Sequence, residues 1–175
     1  MRSWRSAWVV ATVSLLLAVG VAQQFPRLQE QNLNGQQVVL PEAASGKIAV
    51  LVLGFTRSSQ NPCGAWAKRV LDDFGKSSGV VLYQLPVLED APRPLHGMIV
   101  SGIKKGVPEN VRGTFVPVMH DEAALKKLVG WSESSADDAY VILLDRNGAI
   151  LFQTHGATPD PAYAALHSKL QSLLK

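Results

Sequence analysis

A single cysteine, Cys63, stands in the 175 residues. No intramolecular disulfide can form, so any disulfide joins Cys63 to a partner. The four histidines, His96, His120, His155 and His167, are scattered without ligand spacing. Soft-metal sites want several Cys, Met or His ligands, so no metal site and no cofactor are expected; His120, between Met119 and Asp121, is the best of a weak set. Aromatic residues make up only 7% of the chain and charged residues 18%. No cluster of Lys and Arg interleaved with aromatics occurs, and nucleic-acid binding is not expected. Neither a phosphate-cradling glycine loop nor a Ser-His-Asp arrangement is found. The acid pairs Asp72-Asp73, Glu89-Asp90, Asp121-Glu122 and Asp137-Asp138 read as solvated faces or helix caps. Internal repeats, low-complexity tracts and linkers are also lacking, which points to one domain.

No apolar run reaches the 18 or so residues of a spanning helix. The longest, Ala7 to Ala22, follows a basic start (Arg2, Arg5) and ends on Gly20-Val21-Ala22, small residues suited to a signal-peptidase cut before Gln23. Residues 1–22 read as a cleaved secretory signal, with an uncleaved inner-membrane anchor through residues 7–22 as the alternative. Either way residues 23–175 are expected outside the cytoplasm, periplasmic or secreted. The leader holds two arginines and no acid, so the net charge of +3 falls to +1 without it, and the basic balance says little about partners.

What is present is organised around residues 47–74. Ile48-Ala49-Val50-Leu51-Val52-Leu53 is an apolar run without a helical stripe, a strand buried on both faces as at the centre of an α/β sheet. A polar loop follows, then a helix beginning near Cys63, with Trp66, Val70, Leu71 and Phe74 on one broad face. A cysteine at a helix start beyond a buried strand stands where α/β folds place their chemistry, and the helix dipole there favours a thiolate. The opposing reading makes Cys63 a small apolar residue packing the first helical turn.

Around that unit, Leu33-Asn34-Gly35 reads as a turn and Val38-Val39-Leu40 as a short strand. Residues 79–85 read as the next strand. Leu95, Met98, Ile99 and Ile103 have helical spacing and predict an inserted helix, packed on the core or used by a partner. Its glycines are expected to mark close approach to another backbone. Gly113 to Met119 predicts a strand that Pro117 confines to an edge, and Asp121 is expected to cap a helix running through Leu128. Residues 139–153 form a hairpin about Asn147-Gly148. Thr158-Pro159 is expected to cap a last helix carrying Tyr163, Leu166, Leu170 and Leu173/Leu174.

The strand, Phe55, the short loop and Gln60-Asn61-Pro62-Cys63 at a helix start resemble the active-site segment of the thioredoxin family. The resemblance implies that Gln60 occupies the place of the nucleophilic cysteine of C-x-x-C, and Cys63 that of the resolving one. Ala139 falls where the family carries the cis-proline that shapes its substrate groove. With both absent, dithiol–disulfide exchange by the family's mechanism is not available. The N-terminal turn and strand resemble the hairpin of TlpA-like thioredoxins and peroxiredoxins. The peroxiredoxin motif P-x-x-x-T-x-x-C fails here, with Thr56 at the Pro position and Gln60 at the Thr position, although Arg57 is near enough to lower a thiol pKa. Sco-like copper chaperones use a second cysteine and a distant histidine before the final hairpin; this chain has one cysteine, and Ser132 to Asp138 holds no histidine.

VLVLGFTRSS with Trp66, LPVLED, IVSGIKKGVP and AYVILLDRNGAILFQTHG together resemble the mitochondrial ATP synthase assembly-factor family (ATPase complex subunit ten) and its bacterial relatives. That resemblance implies a thioredoxin-like fold without the dithiol and a role in assembling a membrane complex. The expected architecture is an α/β thioredoxin-like three-layer sandwich: a mixed central sheet, an N-terminal β-hairpin extension and an inserted helix. The expected function is binding, assembly or chaperone-like action on a protein partner, through Thr56, Arg57, Ser58, Ser59, Gln60, Asn61, Pro62, Trp66 and Ala139, flanked by Met98 to Lys105. The alternative is a one-cysteine peroxidase or thiol-disulfide oxidoreductase, with Cys63 and Arg57 catalytic and a mixed disulfide through Cys63.

Overall fold

The structure, a computed structural model, describes residues 23–158 and 160–175. The leader expected over residues 1–22, and the Pro159 half of the last helix cap, lie outside the described residues.

Strand β3 (Ile48–Gly54) is buried along its whole length, and its period-2 alternation builds two apolar layers. Ile48, Val50 and Val52 face helices α1 (Gln60–Phe74) and α4 (Asp160–Leu173), meeting Trp66, Val70 and Phe74 from the first and Tyr163, Leu166 and Leu170 from the second. Ala49, Leu51 and Leu53 face the other way. They pack with the N-terminal hairpin of β1 (Leu28–Gln31) and β2 (Gln37–Leu40), with Leu125 of α3 (Glu122–Val129), and with Val116 and Val118. Each large apolar side chain buried in such a layer contributes about 1.5–3 kcal/mol.

The four-stranded sheet has the order β4-β3-β5-β6. β4 (Val80–Pro86) runs parallel to β3, whereas β5 (Ala139–Leu144) is antiparallel to β3 and to β6 (Ile150–Gly156). Three layers around a mixed sheet, with a hairpin extension and an inserted helix, match the expected architecture. In the β5–β6 turn, Asp145 Oδ1 accepts the amides of Asn147 and Ala149, each at 2.8 Å. Gly148 has φ +83°, and a Cβ there would stand 2.6 Å from Pro41 Cγ, so both backbone and space demand glycine.

Residues 116–118 lie along the outer edge of β4, as Pro117 requires. The ladder uses the amides on either side of it: Val116 N–H donates to Gln84 O and Val118 N–H to Pro86 O, both at 2.8 Å. Glu30 of β1, almost fully buried, secures the end of this segment. Its Oε1 accepts the backbone amides of Met119 (2.7 Å) and His120 (2.9 Å) and lies 3.1 Å from His120 Nδ1. His120 is thereby held beside Glu30 through both its backbone amide and its ring.

Two sequence expectations change at α3. Asp121 does not cap α3: its φ of +65° is left-handed and its side chain makes no capping bond. The Glu122 amide donates instead to Glu89 Oε2 at 2.6 Å, a carboxylate delivered from a distant loop. Glu122 itself is buried rather than solvated. Its Oε2 accepts the Asp90 amide at 3.2 Å, and its Oε1 meets Lys126 Nζ at 2.6 Å, so the acid pairs join α3 to residues 89–90. Burial raises the Glu122 carboxyl above its ordinary range, while the bond with Glu122 and the charge of Lys126 hold Asp90 below it.

The inserted helix α2 (His96–Gly106) exists, but it buries no side chain. Cβ atoms added at Gly97, Gly102 or Gly106 would have nothing within 4 Å, so these glycines do not mark close packing inside the chain. Among the described residues, no helix is long and apolar enough to cross a membrane.

Candidate functional site

Parallel strands β3 and β4 end side by side at Gly54 and Pro86. A groove of about 1020 Å³ opens beyond those ends, floored by Gly54, Cys63, Leu85 and Val87 and walled by α2. Carboxyl ends of neighbouring parallel strands are where open α/β sheets leave a crevice, because each chain departs there in a different direction.

The loop from β3 into α1 is shaped by a ring of short bonds. Ser59 Oγ donates to Thr56 O (2.6 Å), and the Ser59 amide donates back to Thr56 Oγ1 (3.2 Å). Thr56 Oγ1 donates in turn to Asp137 Oδ1 at 2.6 Å, which ties this loop to the approach to β5. Gly54 admits the arrangement, since a Cβ at that residue would stand 2.4 Å from Ser59 Oγ and 2.9 Å from Cys63 Sγ.

Helix α1 begins at Gln60, three residues before the position expected. Cys63 therefore sits within the first turn, its amide already bonded to Ser59 O at 3.0 Å. Its thiol points inward and donates to Leu53 O at 3.4 Å. Burial pushes the thiol pKa up from 9.0 to about 12, with Ser59 a smaller opposing influence. A helix dipole contributes at most about 2 kcal/mol at a partly buried position, about one and a half pKa steps and less than burial adds here. Burial wins, and the sulfur remains a protonated thiol at neutral pH.

The expected site residues divide. Thr56, Arg57, Ser59, Gln60 and Cys63 line the groove together with Met98, Ile99 and Ile103 of α2. Ser58, Asn61 and Pro62 belong to the same loop and turn but lie outside its lining. Trp66 is not a surface residue: it is fully buried, its Nε1 donating to Gly156 O at 3.1 Å and its ring 6.0 Å from that of Tyr163. The helical stripe that carries Val70 and Phe74 also turns Trp66 onto the sheet. Ala139 is likewise fully buried, in the same layer as Ile48 and Val141. Its peptide bond is trans, the one cis bond among the described residues being Leu40–Pro41. The side of the loop facing Ala139 is closed by the Thr56–Asp137 bond and by Phe55 packed edge-on against Tyr140 at 5.4 Å. The open side faces α2.

Sequence reading missed Val87, Leu88, Asp90, Val107 and Phe115 in the lining. The parallel register of β3 with β4 brings Val87, Leu88 and Asp90 there, while Val107 and Phe115 come from the end of α2 and the segment after it, and a single chain read in order gives no signal of either placement. Among the described residues, no group of three or more His, Cys, Asp or Glu is placed to hold a metal ion.

No protein-family model matches the chain, and no curated protein matches it in sequence. Solved structures do match. One described as the thiol:disulfide interchange protein DsbE of Chlorobium tepidum superposes with TM-score 0.59 at 20% identity, covering 88% of this chain and 97% of its own. BsSco, a member of the Sco family of cytochrome c oxidase assembly proteins, gives TM-score 0.59 at 13% identity, over 88% and 95%. The fold is thioredoxin-like. The exposed lipoprotein thioredoxin Etrx1 of Streptococcus pneumoniae adds TM-score 0.58 at 12% identity, over 83% and 100%. Identities this low establish the thioredoxin-like architecture alone. This chain has one half-buried thiol in the first turn of α1 and an open groove on the α2 side.

Proposed function

We propose that this thioredoxin-like chain is an exported protein without dithiol chemistry that works by binding a protein partner, as an assembly or chaperone-like factor. One observation carries the reading: Cys63 holds its proton beneath Leu53 O, while beside it lies a groove whose wall, α2, buries no side chain of its own. An amphipathic helix that leaves its apolar residues accessible is suited to an apolar contact from outside. The alternative, a one-cysteine peroxidase or oxidoreductase using Cys63 and Arg57, needs a thiolate. A thiol whose pKa burial pushes up to about 12 weighs against it. The resemblance of VLVLGFTRSS, LPVLED and IVSGIKKGVP to the ATP synthase assembly factors makes a membrane complex the partner to examine first. Export rests on the apolar leader, and the exposed lipoprotein Etrx1 shows that this architecture serves outside the cytoplasm.

The test is complementation of a deletion strain, scored by the amount of assembled ATP synthase and of other membrane complexes on native gels. Expected is a loss of one complex that the unaltered chain and Cys63→Ser both restore and Met98→Asp does not. Restoration by Met98→Asp but not by Cys63→Ser would replace binding with thiol chemistry.

A further inference from the structure

We propose that Glu89, Asp90, Glu122 and Lys126 form a proton-controlled clasp that fastens the segment leading into α2, the wall of the groove, to α3, a form of regulation that rests on the binding reading above. The contacts are reciprocal. Glu89 Oε2 accepts the Glu122 amide at 2.6 Å, and Glu122 Oε2 accepts the Asp90 amide at 3.2 Å. Lys126 Nζ completes the set, 2.6 Å from Glu122 Oε1, 3.2 Å from Asp90 Oδ2 and 4.3 Å from the centre of the Trp131 ring. Glu122 is only 5% exposed, so its carboxyl meets protein rather than water. Two residues earlier the His120 ring lies against Glu30, and the Asp121 side chain makes no capping bond. Among the described residues, three carboxyl groups face one ammonium here, and a proton on Glu122 relieves the surplus of negative charge.

The place of the clasp ties it to the groove. Asp90 and Ala91 line the groove, and residues 87–95 lead directly from β4 into α2. None of the α2 side chains is fully buried, so the segments entering and leaving the helix fix its position rather than packing. Val87 and Leu88 are held to the sheet by amide bonds to Gly54 O and Val118 O, both at 2.8 Å. Beyond Leu88 the clasp ties residues 89–90 to α3 instead. His96 Nε2 lies 2.7 Å from Ala91 O and passes the connection on to the first residue of α2. Burial raises the Glu122 carboxyl, so the fastened form holds that proton more tightly than a form in which Glu122 meets water. Rising pH therefore loosens the clasp, shifting the opening equilibrium by about tenfold for each pKa unit between the two forms. The bonds with Glu122 and Lys126 hold Asp90 below its ordinary range, so strong acid loosens the clasp as well. Between these limits α2 is fastened.

The experiment follows the isotope-labelled protein, as recovered from the cells that make it, by NMR at successive pH values. Carboxyl shifts report each acid, and residual dipolar couplings report the orientation of α2 against β3. Expected is a reorientation of α2 with the same midpoint as the Glu122 carboxyl, above that of an unburied glutamate. In Glu122→Gln, which cannot ionise, the orientation is expected to stay constant over that interval. Asp90→Asn removes an exposed acid that helps to raise Glu122, so the midpoints of the carboxyl and of α2 are expected to fall together. Circular dichroism shows that each variant is folded, and if Glu122→Gln is not, the paired midpoints in Asp90→Asn decide. A Glu122 carboxyl that titrates while α2 keeps its orientation would overturn the proposal. So would midpoints that part in Asp90→Asn, or a Glu122 that titrates as an unburied glutamate does. No partner enters the titration, so these outcomes leave the binding reading standing, and a failed complementation leaves the clasp standing.

Discussion

Cys63 shows how environment decides chemistry at a single residue. Its position at a helix start is the one that activates cysteines elsewhere, yet the thiol turns inward and burial keeps it protonated. At neutral pH its thiolate fraction is expected to be about a thousandfold below that of an unperturbed cysteine, so modification by iodoacetamide in the folded protein should be correspondingly slow. Rapid modification that stays rapid under stabilising conditions would contradict the buried geometry. The same shift carries a stability consequence with a definite sign. The unfolded thiol ionises near 9.0 and the folded one near 12, so between those values the unfolded state is the more deprotonated and rising pH favours it. Cys63→Ala is therefore expected to show a shallower loss of stability than the unaltered chain over that interval, read from urea midpoints at successive pH values. Parallel alkaline limbs would mean that the thiol titrates alike in both states.

Among the elements, α2 stands apart because none of its side chains is fully buried while its glycines face open space. Gly102→Ala should thus stabilise the folded protein by about 0.5–1 kcal/mol, from helix propensity and reduced freedom of the unfolded chain. The same substitution should weaken a partner that approaches the helix closely; a destabilisation on urea unfolding would instead reveal a neighbour in tight contact. The extent to which each element was legible follows from where its information lies. β3 was readable because complete burial leaves an unbroken apolar run, and the β5–β6 hairpin because Asn147-Gly148 encodes its own turn. The start of α1 was misplaced because the Thr56–Ser59 ring, which no propensity records, sets it. Trp66 looked like a surface aromatic beside the loop, although its spacing with Val70 and Phe74 already assigned it to the core stripe. The α3 cap escaped because Glu89 comes from a loop more than thirty residues away, and local spacing cannot report a partner at that distance.

At the scale of the whole molecule, two apolar layers share one strand. Trp66 reports on the layer of α1 and α4, and Trp131 packs against the other. Because β3 contributes to both, neither layer survives without the sheet, and unfolding is expected as one transition. In chains beginning at Gln23, the fluorescence of a Trp66→Phe variant and of a Trp131→Phe variant should each coincide with that variant's own far-UV dichroism. Two separated midpoints would show the layers to be independent.

The separation of α2 from those layers has a further consequence, for descent rather than for folding. Most substitutions in a packed core lower stability, and a protein near its stability threshold tolerates few of them. A helix with no buried side chain is released from that restriction. Its exposed face can change while the two layers beneath stay as they are, so, on the binding role proposed above, relatives of this chain can come to differ most along α2.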